Sequence, residues 1–391
     1  MHRSTADGSF LRAQTAIAAL FCSLGFQYAT WAARIPALKS ELDLTAAQVG
    51  MLLMAAGIGA AVSFPLVAVL MRRLGSQRLA LLSQLCLTLL LAALAAAPDY
   101  PSALLVLCVD GVLVGCLNVA MNAQGAALEE RFERTAMARL HAVFSGGSLL
   151  AALLASTMTA LTPSVGTHFV AAAAVLLLLG GYARTGLPAD GGSTPEAEKP
   201  GRGRWALPSR VTLWMCCAMV FGTVAEGAMN DWSTLYLRDV AEAAAETAPL
   251  GIAVVSGMMV LARLFADGWR NRWGDRRVVL LGSVLAGAGL TCALAAGGVV
   301  PALAGFACVG LGIAAVTPCV YAAAAREGSD ALTLVAAMGT TGLLAGPPLI
   351  GFIASASSLT WGMATVAASA LVVSLCSTRI RWTPQVTATT G

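Results

Sequence analysis

Along nearly its whole length the chain alternates between apolar runs of about twenty residues and short polar breaks. About twenty apolar residues in a helix cross roughly 30 Å of hydrocarbon. The pattern therefore predicts twelve membrane-spanning helices, near 12–34, 47–71, 77–97, 101–126, 139–162, 166–186, 210–236, 247–270, 276–297, 299–325, 330–355 and 358–378. A membrane β-barrel would need strands of about ten residues with alternating polarity, and continuous runs of Ala, Leu, Val and Gly exclude it. The only long polar interruption is 187–209, whose Gly, Pro and charged residues are those of a flexible linker. It divides the chain into a six-helix bundle (1–186), a linker (187–209) and a second six-helix bundle (210–391). The expected fold class is all-α and polytopic.

Composition strengthens this picture. The chain is 58% hydrophobic and 11% charged, with a mean hydropathy of +0.78, whereas soluble domains carry about 25% charged residues. Cytoplasmic loops hold the excess of Lys and Arg. With the N-terminus inside, only Arg34, Lys39 and Arg238 of the 24 basic residues fall on the outer side. Both termini are expected in the cytoplasm, and for a bacterial protein the membrane is the inner one. The net charge of +4 follows from this loop bias and gives no reason to invoke nucleic acid. The first apolar run is longer than the 7–15 residues of a secretory core, so it is expected to remain as the first helix. The ten cysteines lie in spans without metal-ligand company and read as small buried hydrophobes.

The most distinctive stretch is 259–277. An apolar helix carrying Arg263 and Asp267 runs into a basic loop with Arg272, Gly274, Arg276 and Arg277. An acid one turn before a basic loop, between two spans, suits a latch that closes in one conformation and opens in another. The two halves also match at a shift near 199 residues. Arg72-Arg-Leu-Gly75-Ser-Gln-Arg78 lies under Asn271-Arg-Trp-Gly274-Asp-Arg-Arg277, and Cys108-Val under Cys308-Val. Parallel six-span repeats are a transporter architecture.

On these residues the chain resembles the major facilitator superfamily, and the resemblance covers essentially its whole length. The loop with Asp267, Arg272, Gly274, Arg276 and Arg277 is similar to the superfamily's loop signature. The first half departs from it, since Ala68 stands where the acid belongs. Four further segments are similar to a bacterial branch of rhizopine-type permeases, loosely akin to fucose permease. They are Ala33-Arg34-Ile-Pro36, Arg139-Leu-His141-Ala-Val-Phe-Ser-Gly-Gly147, Glu226-Gly-Ala-Met-Asn-Asp231-Trp-Ser-Thr-Leu-Tyr236 and Gly346-Pro-Pro-Leu-Ile-Gly351.

Ionisable residues inside a bilayer cost at least about 2.5–3.5 kcal/mol and mark pathways or pairs. Gln27, Trp31 and Arg34 share one face of span 1, a candidate cavity wall; the plainer reading is a packing face with Arg34 snorkelling outward. Span 4 carries Asp110, a candidate proton site, with Asn118 and Asn122 one turn apart. Fucose-permease-like carriers place an acid on that helix, which the resemblance carries to Asp110. Span 7 carries Glu226, Asn230 and Asp231, with Glu226 the foremost candidate for coupling or substrate binding. Aligning Gly25 with Gly222 puts Arg34 under Asp231, an opposite-charge pair suited to an extracellular gate. His141, at the inner end of span 5, is a candidate proton relay. Gly346-Pro347-Pro348 should kink span 11.

The function these features predict is a secondary transporter working by alternating access, importing a small polar or sugar-like solute with protons. It is expected to act as a monomer in the lipid bilayer, with no cofactor and no metal. Efflux of a drug or metabolite is the alternative; the Pro-free Ser145-Gly-Gly-Ser148 region argues against it. A membrane sensor on a carrier fold is the other class. An intramembrane enzyme finds no catalytic grouping around His2, His141 or His168, and no Walker sequence supports a primary pump.

Overall fold

A computed structural model describes residues 2–188 and 208–382, apart from the side chains of residues 2–7, Ala138, Asp267 and Ser329. Among the described residues all regular structure is helical. The elements are α1 (His2–Ala32), α2 (Ile35–Glu41), α3 (Ala46–Ala95), α4 (Tyr100–Phe132), α5 (Met137–Leu161), α6 (Val165–Gly186), α7 (Arg210–Asp239), α8 (Leu250–Trp273), α9 (Asp275–Ala296), α10 (Val299–Ile313), α11 (Val316–Glu327), α12 (Ser329–Ala356) and α13 (Leu359–Ser377).

These elements give the twelve spans of the expected fold. Ten helical stretches, with α10 and α11 taken together, are long and apolar enough to cross a bilayer. One of them, α3, turns at Gly75 (φ 76°, ψ 168°) and supplies two spans. The shorter apolar stretch Leu250–Ala266 of α8 supplies the last. The structure adds the short helix α2, which the hydropathy pattern does not show because it crosses nothing. Pro347 and Pro348 lie inside an α12 that runs unbroken from Ser329 to Ala356, so the expected kink does not interrupt the helix.

Local chemistry sets the helix ends. The Thr45 hydroxyl accepts from the Gln48 N–H while Gln48 Oε1 accepts from the Thr45 N–H, a reciprocal cap at the start of α3. Asp99 and Ser102 do the same for α4. The Glu129 carboxylate, on the last turns of α4, accepts from the N–H groups of Ala136 and Met137 and so caps α5.

The chain forms two compact units, Met1–Arg204 with Ala244–Ala253, and Trp205–Ala243 with Val254–Gly391. In the first, α1 packs on α5 and α6, and α3 on α4. Its core is built from Leu20, Phe21, Leu117, Met121 and Leu140. In the second, α7 packs on α12 and α13, and α9 on α10 and α13.

The internal repeat has a geometric counterpart. Gly75 and Gly274 stand 199 residues apart and share one left-handed conformation, φ 76° and 80°. Where Gly111 of α4 lies against the Ala56 carbonyl of α3, Gly310 of α10 lies against the Val255 carbonyl of α8, both shifted by the same 199 residues. Equivalent helices in each unit thus touch backbone to backbone at equivalent residues.

Candidate functional site

In the first unit Gln27, Trp31 and Arg34 are all buried, as is Asp110, which is only 3% exposed. Gln27 Nε2 donates to Asp110 Oδ1 at 2.7 Å, joining span 1 to span 4. Gln27 Oε1 and Trp31 Nε1 are buried with no partner among the described residues. The polar face of span 1, the candidate cavity wall, is therefore enclosed. An amide bonded to a carboxyl is stable inside a bundle because each group would be costly alone. A cavity of about 20 Å³ beside Trp31, Leu38, Lys39, Leu53 and Leu107 is apolar and of the order of one water in size.

Arg34 does not snorkel. Its guanidinium donates to the Thr159 hydroxyl and, at 2.7 Å, to the Pro163 carbonyl, tying the end of α1 to the end of α5. Asn118 is exposed, and Asn122 Nδ2 donates to Asn118 Oδ1 at 2.6 Å and to its carbonyl. The asparagines thus pair with one another, while Asp110, two helical turns away, turns inward. His141 is exposed and packs edge-on against Phe21, ring centroids 5.1 Å apart.

In the second unit Glu226 meets a cation. Arg263 donates to Glu226 Oε1 at 3.2 Å, with side-chain exposures of 22% and 24%. Arg263, part of the expected loop motif, stands on the apolar part of α8, as the span 247–270 implied, and pairs there with α7. Asn230 Nδ2 donates to the Glu226 carbonyl at 3.1 Å, an intrahelical bond one turn on. Asp231 is buried on the same helix. At the shift of 199 residues Glu226 falls on Gln27, so the two units carry a carboxylate and an amide at equivalent places.

At the loop, Gly274 adopts φ 80°, a conformation a side chain strains, and α9 starts immediately after it. Arg270 grips Asp275 through Nε at 2.8 Å and a second nitrogen at 3.4 Å. Asp275 thus closes this turn; the side chain of Asp267, the acid of the expected latch, lies outside the described residues. Arg272, Arg276 and Arg277 are exposed. The bond from Arg270 to Asp275 was legible only as an acid five residues past a base. The Thr159 partner of Arg34 carried no sequence signal.

A family model described as Major Facilitator Superfamily matches residues 16–327. The chain is 30% identical to the uncharacterized transporter y4wD of Sinorhizobium fredii over 88% of this chain and 91% of that protein. It is 32% identical to an uncharacterized MFS-type transporter of Yersinia pestis over 90% and 92%. It is 31% identical to the membrane protein MosC of Rhizobium meliloti over 93% and 89%. Among solved structures, the nucleoside transporter NupG superposes with a TM-score of 0.70 at 15% identity, covering 95% of this chain and 98% of that one. The transporter FucP, in its outward conformation, superposes at 0.61 with 17% identity, covering 95% and 100%. With the two-unit helical architecture and its repeated turn, these matches show that the chain belongs to the major facilitator superfamily of membrane transporters.

Proposed function

We propose that this transporter imports a small, neutral, hydroxylated solute together with protons across a bacterial inner membrane, with both termini in the cytoplasm. The observation that carries the coupling is the Glu226–Arg263 pair. A proton on Glu226 removes its charge, breaks the pair and leaves Arg263 free to bond a solute oxygen. The free energy of one event is thereby linked to the other. Both side chains are partly exposed, as access by proton and solute requires. Asp110, bonded to Gln27, is the second carboxyl at membrane depth and the second coupling candidate. Amides and few charges among the membrane residues suit a neutral hydroxylated solute; a strongly anionic one would call for more arginine.

The test is transport in proteoliposomes, after a thermal-shift screen of sugars, inositols, nucleosides, amino acids and drugs has supplied a ligand. Glu226→Gln should keep solute counterflow and lose accumulation driven by a proton gradient. Accumulation undiminished in Glu226→Gln and in Asp110→Asn would remove the coupling assignment, and gradient-driven loss from loaded vesicles would reverse the direction.

Arg34 and Asp231 form the extracellular gate in this proposal. Its closing requires the guanidinium to exchange the Thr159 and Pro163 oxygens for a carboxylate. Charge reversal is the check: Arg34→Asp should be inactive, and adding Asp231→Arg should restore transport.

A further inference from the structure

The end of α8 carries a feature that the proposed coupling does not use. Phe265, Trp269 and Trp273 are spaced by four, so they form one stripe along the helix. Their rings are stacked: Phe265 on Trp269 with centroids 6.0 Å apart and planes 26° apart, Trp269 on Trp273 at 6.3 Å and 15°. The ladder is about 12 Å long along the axis. It is not core, because Phe265 is 53% and Trp273 45% exposed, and the neighbouring Leu261 and Leu264 are exposed as well. Exposed indoles at the end of a span belong at the headgroup boundary, with the aliphatic residues above them among acyl chains.

Directly beyond the ladder lies a concentration of positive charge. Arg270 is neutralised by Asp275, which uses up the only carboxylate on the α9 side of the turn. Arg272, Arg276 and Arg277 remain exposed, and no ion pair or hydrogen bond among the described residues involves them. The Gly274 turn brings α9 round at once, so Arg272, Arg276 and Arg277 fall within six residues of chain. Guanidinium groups bind phosphate in bidentate fashion, and basic residues beside a span are drawn to an anionic membrane surface.

We propose that the end of α8 and the start of α9 form a binding site for an anionic phospholipid. The phosphodiester lies against Arg272, Arg276 and Arg277, and the first acyl segment against the Phe265–Trp269–Trp273 ladder. The rings distinguish this from a site for free phosphate, because they bind only a ligand that brings hydrocarbon along with its charge. The lipid would hold α8 and α9 at the boundary, flanking the Glu226–Arg263 pair higher in the same helix.

The full-length protein, purified in detergent and titrated with phosphatidylglycerol, phosphatidylcholine or soluble glycerol phosphate, provides the test by native mass spectrometry. Wild type should retain phosphatidylglycerol adducts several-fold more than phosphatidylcholine, and glycerol phosphate should not displace them. The triple variant Arg272→Gln, Arg276→Gln, Arg277→Gln should lose that preference. Trp269→Leu with Trp273→Leu should weaken retention without changing the preference for charge. Equal retention by the triple variant and wild type would overturn the proposal, and so would full displacement by glycerol phosphate. If the triple variant does not fold, tryptophan quenching in wild-type nanodiscs decides. Phosphatidylglycerol with brominated chains should quench more than the phosphatidylcholine analogue, and the excess should vanish in Trp269→Phe with Trp273→Phe. Equal quenching by the two lipids would sink the site.

Discussion

Replacing Gly310 with alanine should destabilise the second unit, by an amount set by the contact between α8 and α10. A methyl group there would sit 2.5 Å from the Val255 carbonyl oxygen and 3.1 Å from Met258 Cβ and Val255 Cα. Optimal contact lies at about 3.5–4.0 Å, so the helices must part by about 1 Å. The first obstacle is backbone, which no rotamer change relieves. Overpacking of this kind costs about 1–3 kcal/mol, offset by about 0.5–1 kcal/mol for replacing a helical glycine. The net cost is about 0–2.5 kcal/mol. Gly146→Ala is the matched control, since nothing lies within 4 Å of its added carbon; it should gain the helical term alone. Gly111→Ala, whose methyl group would approach the Ala56 carbonyl more closely still, should be worse than Gly310→Ala. Reversible unfolding in mixed micelles by added SDS, followed by circular dichroism, gives the ranking Gly146→Ala, wild type, Gly310→Ala, Gly111→Ala. A Gly310→Ala protein as stable as Gly146→Ala would refute the close approach.

Three further outcomes are expected. Gln27→Leu should destabilise by about 1–3 kcal/mol, because it leaves the buried Asp110 carboxyl without its amide donor. A double-mutant cycle with Asp110→Asn should show a coupling, and strict additivity would deny the contact. The Ser102 hydroxyl and N–H bonded to Asp99 hold its carboxyl below the ordinary value of 3.8. The cap at the start of α4 is thus fully present above that value and lost as pH falls through the lowered one. Hydrogen exchange at residues 100–103, corrected for intrinsic rate, should accelerate on acidification through that window, and Asp99→Asn should abolish the pH dependence. Arg270→Gln should raise exchange around Gly274 and cost at most about 1 kcal/mol, since the pair with Asp275 is partly exposed; unchanged exchange would show the pair to be idle.

Hydropathy alone located the spans, because a bilayer demands long apolar helices and little else satisfies the backbone there. It missed α2, which has no such demand on it. Pairing was less legible still. Gln27 and Asp110 were both singled out as polar residues in apolar spans, yet nothing in the sequence joined them across 83 positions. Glu226 and Arg263 had the same obscurity. The turn at Gly75 and Gly274 was readable because left-handed backbone selects glycine. Setting Gly25 on Gly222, and so Arg34 on Asp231, is a shift of 197. The repeat geometry at 199 sets Ser233 against Arg34, so the proposed gate rests on charge and burial rather than on the duplication.

The equivalence of Gln27 and Glu226 has a consequence for how the duplicated halves differ. A carboxamide and a protonated carboxylic acid are nearly isosteric and both neutral. With a proton on Glu226, the two positions present matching groups; without it, one half carries a charge that the other lacks. Under the proposed coupling, proton occupancy would decide whether these two positions match or differ. Gln27→Glu would place a carboxyl at both equivalent positions, one beside Asp110 and the other beside Arg263.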